Sequence, residues 1–249
     1  MDFLLMYIEK LRLRDLRNYD RLELEPHPGI NILFGQNGSG KTNLLEAIHY
    51  CALGRSHRIA QDREVVRKGC EMGACGVDVR RRDGRCDVTV KLTPGEARKK
   101  QVFLDRKKAA RLSDLMGRVQ CVIFSPEDLL LVREGPSVRR RYLDMLCSQL
   151  SPSYFVALQR YQHALDERNA ILRAAGRFDP LPEDMMASYE QMMAEAGAVI
   201  VPMRRRLSER CGQIGTERYA LISGRGGEPF SVGYRCSVPE DADPAAFLL

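Results

Sequence analysis

Residues 35–42, GQNGSGKT, restrict what this chain can fold into more than any other stretch. They match GxxxxGK[ST] at every fixed position, a pattern in which glycines let backbone N–H groups converge where a Cβ would block approach. The flanks supply the context that the pattern needs. INILF at 30–34 is a short apolar run that fits a buried central strand, entered through Pro26, Pro28 and Gly29. Beyond the loop, Leu44, Leu45, Ile48 and Leu53 recur at helical spacing, so the loop joins a strand to a helix. Such a loop holds phosphates. Gly35, Gln36, Asn37, Gly38, Ser39 and Gly40 form the cradle, Lys41 reaches the β- and γ-phosphates, and Thr42 offers its hydroxyl to Mg²⁺. ATP with Mg²⁺ is the expected ligand. The motif names a nucleotide, not a reaction.

Upstream, residues 7–13 and 18–25 alternate apolar and charged side chains and read as two half-buried strands. Residues 74–105 read as further strands separated by polar turns, with a hairpin signal at Asp83 and Gly84. VQCVIF at 119–124 reads as another buried strand. Ser125, Pro126, Glu127 and Asp128 then supply a cap, a first-turn proline and two acids for a short helix. From Pro136 the pattern changes to long amphipathic helices. Phe155, Leu158, Tyr161, Leu165 and Leu172 make one stripe, and Met185, Tyr189, Met192, Ala196, Val199, Met203 and Leu207 a second. A short Pro-containing connection makes the pair an antiparallel hairpin, with Pro202 expected to kink or interrupt the second helix. Strand-like patterning returns at 230–237.

The net charge of +6 permits a polyanionic partner without establishing one. Eight cysteines lie scattered with no CxxC pair, so reduced thiols are expected and neither a zinc site nor a disulfide framework. No run approaches the ~20 apolar residues of a membrane span, and the first residues lack a secretory pattern; a cytoplasmic protein without membrane contact is expected.

GQNGSGKTNLLEAIHYCALGRSHR, LRLRDLRNYDRLELE and FSPEDLLLVREGPSVRRRYLDMLCSQL together resemble the RecF family, bacterial recombination ATPases related to the SMC and ABC-type heads. The resemblance spans nearly all of residues 4–150, and the helices to about 210 fit its second lobe. It implies an α/β fold: an ABC-type P-loop ATPase head, lobe I with a mixed sheet and a β-subdomain, carrying an inserted antiparallel helical lobe II. The corresponding boundaries are 1–135 for lobe I, 136–212 for lobe II and 213–249 for the start of the return segment. It further implies ATP-dependent DNA binding in recombinational repair and replication, linked to the SOS response. A homodimer sandwiching two ATP molecules would act on single-stranded or gapped DNA with RecO and RecR-type partners. Arg17 and Asn18 match a family pair lying beside the nucleotide, although a solvated strand end is an equal alternative. Arg58 matches an arginine near phosphate or DNA, or serves only to compensate a helix terminus.

Arg139, Arg140 and Arg141 could neutralise DNA phosphates, as could the run at 80–82; at most two of the former triple can face one backbone. A solvated charged face is the ordinary alternative. No catalytic residue stands out. His57 has no partner in view, Glu127 and Asp128 read as helix caps, and neither LSERCG nor ISGRGG matches an LSGGQ signature loop. A Walker B acid is also missing, so the sequence looks truncated relative to the family, and hydrolysis by this chain alone is not expected. The rival readings are another P-loop phosphotransferase and a non-catalytic interaction module.

Overall fold

A computed structural model of the chain describes residues 6–56, 62–95, 100–174, 182–224, 230–239, 242 and 246. The chain divides into two compact units, Met1–Asp128 and Leu129–Leu249.

The first unit is built on a six-stranded sheet of order β2-β1-β3-β4-β5-β6, antiparallel at every pairing. Its strands are β1 (Met6–Leu16), β2 (Tyr19–Leu24), β3 (Gly73–Arg81), β4 (Gly84–Leu92), β5 (Lys100–Leu104) and β6 (Lys107–Lys108). The period-2 pattern decides the faces. Leu11 and Leu13 of β1, Cys75, Val77 and Val79 of β3, and Cys86, Val88, Val90 and Leu92 of β4 are all buried on one side. Helix α1 (Lys41–Leu53) packs on that side against β3 and β4, burying Ala47, Tyr50 and Cys51 completely. Each fully buried side chain of Val or Leu size contributes about 1.5–3 kcal/mol.

The β3–β4 hairpin forms at the expected signal: Arg81 pairs with Gly84, whose φ of 136° suits glycine alone. On the outer face, Arg12 of β1 bridges Asp78 of β3 and Asp87 of β4, which lie directly opposite each other. That guanidinium holds the Asp78 carboxyl below its ordinary range, whereas desolvation, with the neighbouring Asp78, pushes Asp87 up.

Two expected strands do not form. Residues 30–34 and 119–124 enter no ladder among the described residues. Ile30 and Phe34 are 90% and 91% exposed, and Val122 and Phe124 78% and 89%. A buried strand needs a hydrogen-bonding neighbour and a covered face, and apolar composition supplies neither. In α1, Leu44 and Leu53 of the expected stripe are buried but Leu45 is exposed, and Ala47 and Cys51 complete the covered face.

The second unit is helical: α2 (Leu130–Arg133), α3 (Pro136–Leu150), α4 (Pro152–Arg173) and α5 (Glu183–Ser223). Ser151 ends α3 and caps α4, its hydroxyl accepting from the Tyr154 N–H at 3.2 Å. Late α4 meets early α5 through Arg168 and Glu190, and early α4 meets later α5 through Tyr154 and Arg204, so the two helices run antiparallel. Their core contains Cys147, Tyr154, Ala157, Ala196 and Ile200. Ala157, Ala164, Ala194 and Ala196 are buried, while Met185 and Val199 of the expected stripe are half exposed. Helix α5 runs through Pro202 without interruption. The buried Ile200 and Val201 beside it supply the packing that offsets one lost helical bond. Residues 230–237 also form no strand; they lie extended along α5, where Gly212 and Gly215 leave room for Val232 and Phe230.

Candidate functional site

Three positive-φ glycines shape the loop at 35–42: Gly35 at 146°, Gly38 at 81° and Gly40 at 104°. Gly40 is the N-cap of α1, so the helix begins at Lys41, and its Cα faces the side chains of Asn18 and Tyr19 so closely that a Cβ would lie 2.7 Å and 2.8 Å from them. The Lys41 ammonium donates to the Gly35 and Gln36 carbonyls at 2.8 Å and 2.7 Å, folding the loop around itself. Residues 35–39 and Thr42 are exposed, with Thr42 in the first turn of α1. The exposed loop backbone, the positive end of a thirteen-residue helix and an ammonium thus lie together, the combination of charges and dipoles that suits an anion.

The turn between β1 and β2 reaches the same loop. Asn18 donates its amide to the Ser39 carbonyl at 3.1 Å and accepts from the Asn43 amide at 2.8 Å. Its neighbour Arg17 turns towards α1, where Nε and Nη2 donate to the two oxygens of Glu46 at 2.8 Å and 2.7 Å. The Ser56 hydroxyl also donates to that carboxylate, which is fully buried. Asn18 is thus in contact with the loop, and Arg17 with the helix behind it.

Sequence reading did not single out Glu46, Asn43 or Tyr19. Glu46 was the one acid in α1 and carried a weak signal, since a charge on a helix otherwise free of acids needs a partner. Nothing local linked it to Arg17.

Arg58 and His57 lie outside the described residues. Arg139, Arg140 and Arg141 fall in the first turns of α3 in the second unit, and all three are exposed. Arg139 donates to the Leu131 and Glu134 carbonyls, both at 2.9 Å, and so closes the end of α2. Of the other basic run, Arg80 pairs with Glu9 and Arg81 with Asp83, while Arg82 is exposed. Asp128 accepts from the Ser125 backbone N–H at 2.6 Å, a cap on the 3₁₀ turn Pro126–Leu129. Among the described residues no group of three His, Cys, Asp or Glu could hold a metal ion, and no helix is long and apolar enough to cross a membrane.

An α/β unit whose glycine loop opens a helix against a sheet, followed by an antiparallel helical unit, has the fold of the ABC-type P-loop heads. A family model described as an AAA domain matches residues 10–122. The chain is 40% identical over 237 residues to the DNA replication and repair protein RecF of Acidothermus cellulolyticus, covering 95% of this chain and 63% of that one. The RecF of Ruminiclostridium cellulolyticum is 36% identical, with 93% and 62% covered. A solved structure of the recombination mediator protein RecF with ATP, in the RecFOR pathway, superposes with a TM-score of 0.80 at 30% identity, covering 88% of this chain and 58% of that one. In sequence and in fold this chain is similar to RecF proteins over the length that it spans. That length is less than two thirds of the relatives it matches.

Proposed function

We propose that this chain is the nucleotide-binding and helical part of a RecF-type ATPase of DNA replication and repair, binding ATP with Mg²⁺ through residues 35–42. The observation that carries this reading is the convergence of Lys41, the Gly40 N-cap and the exposed loop backbone at the start of α1. Lys41 and the loop N–H groups hold the phosphates, and the Thr42 hydroxyl coordinates the magnesium ion, which shields their charge. ATP serves as a switch for dimerisation on single-stranded or gapped DNA. Exposed Arg140 and Arg141 contribute sequence-independent phosphate contacts, and RecO and RecR-type proteins are the partners. The setting is the cytoplasm, with a link to the SOS response. RecF relatives solved with ATP and with ATPγS support the ligand.

Titration of the 249-residue chain with Mg-ATP tests the reading: saturable binding is expected, weakened at least about tenfold by Lys41→Ala. Binding that is indifferent to that substitution sinks the nucleotide assignment. For DNA, affinity should fall steeply as salt rises and change when ATP is added. Indifference to both would remove the switch.

A further inference from the structure

Arg17 occupies an unusual place. It is the first of two turn residues between Leu16 and Tyr19, which pair, and its φ is +54°. A non-glycine residue is uncommon there, since a tight hairpin ordinarily puts glycine at a left-handed position. The side chain explains what glycine could not do. All three guanidinium nitrogens are committed to protein: two to the buried Glu46 carboxylate and Nη1 to the Glu64 carbonyl at 2.8 Å. The Arg17 backbone N–H also donates to the Val65 carbonyl at 2.8 Å. With 19% of its side chain exposed and its charge matched by Glu46, this arginine is spent on the interior.

What Arg17 holds in place lies one residue on. Asn18 bridges the Ser39 carbonyl and the Asn43 amide, and Asn18 and Tyr19 together wall in Gly40. The Arg17–Glu46 fork therefore ties the turn to α1 on one side, and Asn18 ties the same turn to the loop that opens α1 on the other. Bidentate pairing fixes direction as well as distance, which an ammonium on the same stem cannot do. Glu46 stands on α1 just one turn beyond Asn43, so the helix start and the turn are registered against each other at two points.

We propose that Arg17 is a positioning residue for nucleotide binding: it acts through Glu46 and the Asn18 turn to hold the loop open to phosphate, and does not itself contact the nucleotide. The proposal rests on the reading of residues 35–42 as the ATP site.

The test is a double-mutant cycle on the 249-residue chain, reading Mg-ATP affinity per folded molecule alongside the melting temperature without nucleotide. Arg17→Met is expected to weaken binding about tenfold, and Arg17→Lys, which keeps the charge but loses the fork, by a similar factor. In a Glu46→Gln background, Arg17→Met should then cost less than about twofold more. Asn18→Ala, a change at an exposed turn, should weaken ATP binding while leaving the melting temperature in place.

Wild-type affinity in Arg17→Lys, or an equal loss from Arg17→Met in both backgrounds, would mean direct phosphate contact and overturns the proposal. Lower melting temperatures with unchanged affinity would make the pair purely structural and overturn it too. Should the Arg17 variants not fold, Asn18→Ala decides, since wild-type binding there breaks the proposed route. Absence of saturable ATP binding in the wild type, or its persistence in Lys41→Ala, strikes the underlying site assignment instead.

Discussion

Arg204 of α5 and Asp144 of α3 form an ion pair of 2.7 Å inside the helical unit, their side chains only 14% and 15% exposed. The Tyr154 hydroxyl of α4 donates to the same Asp144 oxygen, and Arg204 reaches on to the Tyr234 hydroxyl at 3.3 Å. One carboxylate thus joins three helices, and through Arg204 the extended segment laid along α5. Interaction with these partners raises Arg204 above its ordinary range despite the opposing effect of burial. Removing Arg204 leaves a buried charge with only a phenol to satisfy it. Arg204→Ala is expected to cost about 3–5 kcal/mol, whereas replacing both partners with apolar residues should cost much less. Urea unfolding of the two variants measures the difference; equal losses would show that packing around the pair, and not its charge, dominates.

Gly215 meets the Phe230 ring so closely that a Cβ would lie 2.3 Å from it, and Tyr219 stacks on the same ring at 5.8 Å between centroids. Since Thr216 also donates to the Phe230 carbonyl at 3.0 Å, the segment has a fixed register on α5. Gly215→Ala should improve helix propensity by up to about 1 kcal/mol yet displace the segment. Faster proteolysis near residue 230, with the circular dichroism of the helices retained, is the expected result.

Gly40→Ala should damage the candidate site without unfolding the sheet. The residue sits at φ 104°, and the new methyl would meet Asn18 and Tyr19. Strain of about 1–3 kcal/mol falls on the loop itself, so Mg-ATP affinity should drop at least about tenfold while the melting temperature moves by a few degrees. A Gly40→Ala protein that binds ATP like wild type would show that the loop can take another shape.

Stability should decline on the alkaline side. Burial, reinforced by the Asp144 charge, pushes the Cys147 thiol up to about 12, and burial pushes Cys121 up to about 11. An unfolded thiol ionises near ~8.5, so the native state retains a proton that the unfolded state loses. The contribution is complete below ~8.5 and is lost as pH rises through the folded values, by roughly 1 kcal/mol per pH unit for each thiol. Denaturant unfolding between pH 8 and about 10.5 tests this, with a shallower decline expected in Cys147→Ala.

The elements legible in the sequence were those whose cause is local. Alternation along β1 and β2 gave both strands, the Asp83–Gly84 signal gave the β3–β4 hairpin, and the glycine loop gave the start of α1 at Lys41. Glycine conformational freedom and side-chain period act within a few residues, so neighbouring letters suffice to read them. The stretches at 30–34 and 119–124 misled for the complementary reason. Apolar composition states what a strand would bury, while pairing depends on a partner from elsewhere in the chain.

The amino-acid sequence by itself determined the glycine loop, its lysine and threonine, and the two long helices, since each is encoded in consecutive or periodic residues. Only the tertiary structure decided that Arg17 faces Glu46 and that Asn18 braces Ser39, pairs separated by 29 and 21 residues. No local rule brings such groups together. A buried carboxylate on α1 requires a cation, and the fold of β1 against α1 selects the arginine that supplies it.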